Sequence, residues 1–247
     1  MPLNPFTNFH THHLNDFQRG YEWTVKVAEE LLDDFIDASR GYLNEYDQEG
    51  EEVTQTMKPD YELSQIVLVP MEWDTNLFGL GSRYDVFDGQ QRLVTLCLIF
   101  AALRESLAND EGMEDTVVEL SNMLKPPKVR KEDVVRIELH KRDNQILSHI
   151  FNNEISELDS FKDKDKKKLT RANRRIFENY RRFTSRIQEL SCDERVQLLD
   201  FMVENVYLLV CIPETPVIAR NLVTAQGKGM DNEPIDDFKG LVCFRYV

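Results

Sequence analysis

The feature that most constrains this chain is a short strand that breaks on Asp-Gly and turns at once into a long apolar helix. Arg83–Phe87 reads as the strand and Asp88-Gly89 as the break. Gln90 to about Ala108 reads as the helix, with Leu93, Leu96, Cys97, Phe100, Leu103 and Leu107 at helical spacing. The first N–H groups of a helix lack intrahelical partners and carry the positive end of its dipole, so such a joint suits an anion, phosphate above all. Gly89 permits close backbone approach. Gln90, Gln91 and Arg92 add amide donors and a guanidinium fork suited to phosphate. Asp88 is placed to hold Mg²⁺ or to orient a water, since carboxylate plus phosphate oxygens is the usual magnesium environment. The bland alternative is a plain turn followed by a solvated first turn of helix.

The other expected elements make a mixed α+β chain. Thr24 caps a helix to about Ala38, with Val27, Leu31, Leu32, Phe35 and Ile36 on its apolar face. Asn44–Asp60 is acidic, carries Gly50 and Pro59, and reads as a surface loop. Ile66–Val69 is a short buried strand stopped by Pro70, and Asn76–Ser82, with Gly79 and Gly81, is a turn. Val134–Leu139 is a candidate strand and Asp143–Phe151 a helix. Thr170–Leu190 is a strong helix whose core stripe is Ile176, Tyr180, Phe183, Ile187 and Leu190. Asp193–Val203 reads as a helix, Tyr207–Ile212 as a buried strand, and Pro234–Tyr246 as a terminal helix. Breaks at 109–115 and at Lys125-Pro126-Pro127-Lys128 suggest an α/β part over 14–115 and a mainly helical part over 116–247, after a flexible arm at 1–13. The arm holds His10, His12 and His13. With no Cys or carboxylate cluster beside them, a mobile tail is the better reading than a metal site.

Composition narrows the class. The 247 residues are 41% hydrophobic and 30% charged with a net charge of −14, which suits a globular chain and excludes collagen-like or wholly disordered ones. Cys97, Cys192, Cys211 and Cys243 are scattered without a CxxC pair, pointing to free thiols in a reducing compartment. No targeting segment and no apolar run near the ~20 residues that span a bilayer is visible, so a cytoplasmic location without membrane contact is expected.

Upstream, Leu14–Trp23 sets Gln18 and Arg19 on the loop into the Thr24 helix, beside the large aromatics Tyr21 and Trp23. Taken together, Phe17-Gln18-Arg19-Gly20-Tyr21-Glu22-Trp23, Gln65-Ile66-Val67-Leu68 and Asp88-Gly89-Gln90-Gln91-Arg92-Leu93 closely resemble the N-terminal, ParB/sulfiredoxin-like domain of GmrSD-type modification-dependent restriction enzymes. Weaker similarity continues through Arg136–Asp143, Asn173–Phe183 and Ala219–Lys239, so that about 14–244 is covered. The chain departs from the family pattern at Asn15, Gln226 and Asn232.

The resemblance implies a ParB/sulfiredoxin-like N-terminal fold followed by a mainly helical part, with a DGQQR segment tied to binding and hydrolysis of a nucleoside triphosphate that gates a DNA nuclease. On that reading Asp88, Gln91 and Arg92 are the catalytic candidates, with Asp88 the Mg²⁺ ligand. Gln18, Arg19, Gly89 and Gln90 are the nucleotide-binding candidates. A non-catalytic nucleotide- or DNA-binding module is the alternative. No His-Asn-His segment is seen, and His140 and His149 are too far apart for a helical metal pair. The nuclease is therefore expected as a separate or fused domain.

One stretch runs against the acidic balance. Lys162–Arg186 holds eleven basic residues and three acidic ones. Its arginines, among them Arg171, Arg174, Arg175 and Arg182, lie off the core stripe and form a candidate DNA-phosphate face without sequence readout. The alternative is a solvated helix paired with the protein's own acidic segments.

Overall fold

The computed structural model describes residues 12–13, 20–40, 45–46, 52–53, 60–70, 84–125, 137–139, 141–154, 156, 169–213, 215–226 and 241–245. The fold is mixed α+β. The strands are β1 (His12–His13), β2 (Glu45–Tyr46), β3 (Glu52–Val53), β4 (Tyr61–Pro70), β5 (Tyr84–Asp88), β6 (Ile137–Glu138), β7 (Val206–Cys211) and β8 (Leu241–Arg245). The helices are α1 (Val25–Ser39), α2 (Gln90–Leu107), α3 (Glu114–Leu124), α4 (Gln145–Phe151), α5 (Arg171–Gln188), α6 (Cys192–Glu204) and α7 (Pro216–Gln226).

One sheet runs in the order β6-β1-β5-β4-β7-β8. The pairs β4–β5 and β7–β8 are antiparallel, whereas β4–β7, β1–β5 and β1–β6 are parallel. β4 is apolar on both faces because both are covered. Ile66 and Leu68 join Val86, Leu208 and Val210 in the main core under the helices, while Val67 and Val69 join Cys211 and Ala219 of α7 in a smaller one.

The centre of the helical layer is α2. From Leu93 to Leu107 only Glu105 escapes burial, and such a helix needs cover on every side. The cover comes from α3, α4, α5 and α6, with α1 laid across α5 and α6. α5 is the amphipathic complement. It buries Ile176, Tyr180, Phe183 and Ile187 and turns its arginines outward, after an N-cap in which the Thr170 hydroxyl accepts from Asn173 N at 3.1 Å. α6 opens with a full capping box, Ser191 with Glu194.

Several expectations need correction. The terminal stretch expected to be helical, Pro234–Tyr246, carries strand β8, which pairs its Leu241–Arg245 run along β7; short apolar runs carry no decisive period, and a free sheet edge decided this one. The arm at 1–13 supplies β1, inserted between β5 and β6. The acidic loop expected at Asn44–Asp60 holds a small antiparallel pair, β2 with β3. Val27 is 43% exposed and leaves the α1 core face to Ala28, Leu31, Leu32, Phe35 and Ile36. The sheet and the helical layer both draw on elements from either side of residue 115, because α2 takes its cover from helices far along the chain. The turn expected at Asn76–Ser82 lies outside the described residues.

Cys97 and Cys211 are buried and Cys192 is half-buried, none of the three in a disulfide. Among the described residues, no helix is long and apolar enough to cross a membrane.

Candidate functional site

The joint between β5 and α2 is fixed by packing. Gly89 adopts φ +92°, and a Cβ placed on it would lie 2.2 Å from Ile66 Cγ2 on β4. Only glycine fits, for both reasons. β4 is irregular beside the joint. Its register against β7 shifts between Glu62 and Gln65, where Ser64 has φ +68°, and its register against β5 shifts between Val67 and Leu68, opposite Asp88 and Val86. Bulges of this kind re-aim side chains at a sheet end. Between the two irregularities, Gln65 O accepts from Arg92 Nη1 at 2.6 Å. Arg92 Nη1 also lies 3.9 Å from Asp88 Oδ2, both side chains being partly exposed.

The neighbouring glutamines behave differently. Gln91 reaches back to the loop before α1. Its Oε1 accepts from Glu22 N (2.7 Å) and Trp23 N (3.3 Å), and its Nε2 donates to Gly20 O (3.2 Å). Its amide is thus spent on main-chain atoms, where a catalytic role had been expected. Gln90 is only 7% exposed, and its Nε2 is buried with no hydrogen-bond partner. No side chain caps α2.

A relay of hydrogen bonds then ties α5 to α2 through the same loop. Asn179 Nδ2 donates to Tyr21 OH (2.8 Å) and to Trp23 O (3.1 Å). The Tyr21 hydroxyl lies 2.8 Å from Thr95 Oγ1, and Thr95 Oγ1 donates to Gln91 O (2.8 Å). With the Thr95 proton committed, Tyr21 is the donor to Thr95. Burial pushes the Tyr21 phenol up to about 12, against the smaller opposing pull of these hydrogen bonds. Arg175 Nη1 adds a bond to Glu22 O at 2.6 Å.

Two further segments close on the loop. A Cβ on Gly20 would stand 3.0 Å from both Ala172 Cβ and Asp143 Oδ2. Asn173 Nδ2 donates to Arg142 O (2.8 Å), and its Oδ1 accepts from Ile146 N (3.1 Å), joining α5 to the start of α4. The stretches around Gly20–Trp23, Asp88–Arg92, Asp143 and Asn173 therefore meet in one place. A family model described as the GmrSD restriction endonuclease, N-terminal domain, matches residues 4–218. The chain belongs to that family. No curated protein matches it.

The remaining candidates of this GmrSD-type domain are distributed as follows. Gln18 and Arg19 lie outside the described residues, although Gly20, next in the chain, is held by Gln91. Lys162–Lys168 also lie outside them, as do Gln226's side chain, Asn232, Lys239 and His140. His149 pairs with Glu154 (2.7 Å). On α5, Arg182 Nε donates to Glu29 (2.6 Å) and Arg186 Nε to Asp33 (3.0 Å), both acids being on α1. The Glu29 hydrogen bond and charge hold Arg182 above its usual range. With Arg175 committed to Glu22 O, the expected basic face loses Arg175 and Arg182 to internal partners. Arg171 and Arg174 stay exposed at the α5 start.

Sequence reasoning missed Arg104. It is 1% exposed within α2, where Nη2 and Nη1 donate to Ile150 O (2.5 Å) and Phe151 O (3.3 Å), closing the C-terminus of α4. Burial draws its guanidinium below the usual range. One signal was available: an arginine inside the apolar run Leu93–Leu107 must find acceptors.

The donor set also bears on magnesium. Among the described residues no group of three metal-ligating side chains exists. One partly exposed carboxylate, Asp88, beside the uncapped α2 N-terminus is too small a donor set to cage a resident ion and would fit only an ion that brings oxygen ligands of its own.

Proposed function

We propose that this domain binds and hydrolyses a nucleoside triphosphate, and so regulates a modification-dependent DNA restriction system. One observation carries the reading: the uncapped α2 N-terminus sits beside Asp88 and Arg92 with a buried donor, Gln90 Nε2, still unpaired. The α2 amides and Gln90 receive phosphate oxygens, with Gly89 letting them approach the backbone. Arg92, anchored on Gln65 O, presents its remaining donors to the same oxygens. Gln91 positions the loop that follows Gln18 and Arg19, which extend the phosphate clamp.

Asp88 would hold a magnesium ion arriving with the nucleotide, and that ion would supply charge neutralisation on the phosphate chain. Asp88 orients the attacking water. The water oxygen bonds the γ-phosphorus, the bond to the bridging oxygen breaks, and the products are a diphosphate, inorganic phosphate and a proton. Such chemistry asks mainly for positioning and charge stabilisation.

Phosphate release from a nucleotide panel, with and without modified DNA, tests this. Asp88→Ala and Arg92→Ala are each expected to lower release by about 100-fold. Undiminished release in both variants would overturn the assignment. A second reading, nucleotide binding without turnover, is favoured by the commitment of Gln91 to the main chain, which leaves fewer groups to orient a water. Binding without release in the wild type would establish it. The nuclease partner, separate or fused, and DNA contact through the segment 162–186 belong to the same proposal.

A further inference from the structure

Among the described residues, two that are not glycine have positive φ, Asn153 at 60° and Ser64 at 68°. Asparagine tolerates that region, whereas a serine within a strand is strained by it. Ser64 is exposed, so no burial of its side chain offsets the strain. From its place in β4 we infer that Ser64 is a positioning residue: the extra residue it adds to the strand sets the aim of Arg92. The inference rests on the phosphate site proposed above. Three steps along β4, Glu62 to Gln65, face two along β7, Tyr207 to Leu209, so β4 carries one residue too many there. One added residue reverses the alternation of a strand. Before it, Tyr61 and Leu63 belong to the main core; after it, Ile66 and Leu68 do. With regular pairing, a β4 that keeps Leu63 under the helices would turn Ile66 and Leu68 to the smaller core. Two contacts of the joint depend on that reversal. Ile66 is the residue that a Cβ on Gly89 would strike. Gln65 lies past the point where β5 ends, with Asp88 opposite Val67, and its carbonyl takes Arg92 Nη1 at 2.6 Å where the next strand residue would have been. Arg92 Nη1 is thereby held 3.9 Å from Asp88 Oδ2.

The experiment uses the full chain with inorganic tripolyphosphate as the probe. Binding is read by calorimetry, and the setting of the guanidinium by the Arg92 Nε–H resonance. Ser64→Gly keeps the backbone conformation without steric cost. Ser64→Val keeps the length and disfavours the conformation through its β-branch. Deletion of Ser64 removes the extra residue. Ser64→Gly is expected to bind as the wild type does. Ser64→Val is expected to bind about threefold more weakly, and the deletion about tenfold or more, as Arg92→Ala does. Arg92→Ala added to the deletion should lose no further affinity, because both act through one guanidinium. The Arg92 resonance should shift in Ser64→Val and stay in place in Ser64→Gly.

Wild-type affinity in a folded deletion variant overturns the inference. Losses that multiply when the deletion and Arg92→Ala are combined also overturn it, since the bulge would then act through the general stability of the sheet. So does a loss in Ser64→Gly as large as that in Ser64→Val, which would move the role from the backbone to the hydroxyl. If the deletion does not fold, Ser64→Val decides, and wild-type affinity with an unmoved Arg92 resonance there overturns the inference. A wild type that does not bind tripolyphosphate overturns the phosphate site, and the Arg92 resonance then reads the aim by itself.

Discussion

The head of α2 and the flank of α5 are both rich in nitrogen donors, yet among the described residues only the head of α2 keeps one buried without an acceptor. α5 begins with a threonine cap and lays Arg182 and Arg186 onto Glu29 and Asp33 of α1. α2 begins with a glycine that caps nothing and holds a buried amide with no acceptor. A count of positive charge ranks α5 first. A count of buried unsatisfied donors ranks α2 first, and the second count bears more directly on where a ligand would bind, because a donor already paired must give up that bond first.

The largest test of this contrast is at Gly89. Gly89→Ala places a methyl on Ile66 and forces a side chain into the left-handed region. Chemical denaturation is expected to show a loss of about 3 kcal/mol or more. A loss near zero would mean that the joint is slack, and the reserve of donors at α2 with it.

The next test concerns the loop that connects the two helices. Tyr21 is neutral in the folded protein up to about pH 12, whereas in the unfolded chain it ionises near the ordinary value of 10.0. Between those values the folded state holds a proton that the unfolded state has released, so stability falls as pH rises from 10 to 12 and is unaffected below. The loss from this group is about 2–3 kcal/mol. Tyr21→Phe should flatten that part of the alkaline unfolding curve. Tyr61 and Tyr180, whose phenols burial also raises, retain the rest of the slope. An unchanged slope would show that the phenol is not the link between Thr95 and Asn179.

The smallest effects belong to α5. Arg182→Ala is expected to cost about 0.5 kcal/mol in stability, as exposed ion pairs do, and to leave affinity for DNA fragments unaltered. Arg171→Glu with Arg174→Glu should weaken any DNA binding and reduce its salt slope by about one unit per lost phosphate contact. If Arg182→Ala weakened DNA binding as much, the internal pairing would not remove it from the basic face, and the contrast with α2 would fail.

Much of the joint at the candidate site was legible because its signals are local. A strand, Asp-Gly, and an apolar helix within about twenty-five residues leave few alternatives, and the caps at Thr24 and Thr170 follow from residue type. What stayed hidden depends on distant partners. Nothing near Gln91 distinguishes it from Gln90; the difference arises when residues 20–23 arrive to be held. The partners of Arg182 and Arg186 lie 153 positions away along the chain. β8 was misread because its apolar run has no decisive period, and the vacant edge of β7 determines its form. Charge pattern shows that arginines face outward but not which carboxylates await them.

Gln91 grips only main-chain atoms, those of Gly20, Glu22 and Trp23. It therefore measures the length of that stretch and is blind to its spelling. In diverging copies of this domain, letters at a position such as Glu22 are free to drift, whereas a single inserted or deleted residue would put the clasp out of step.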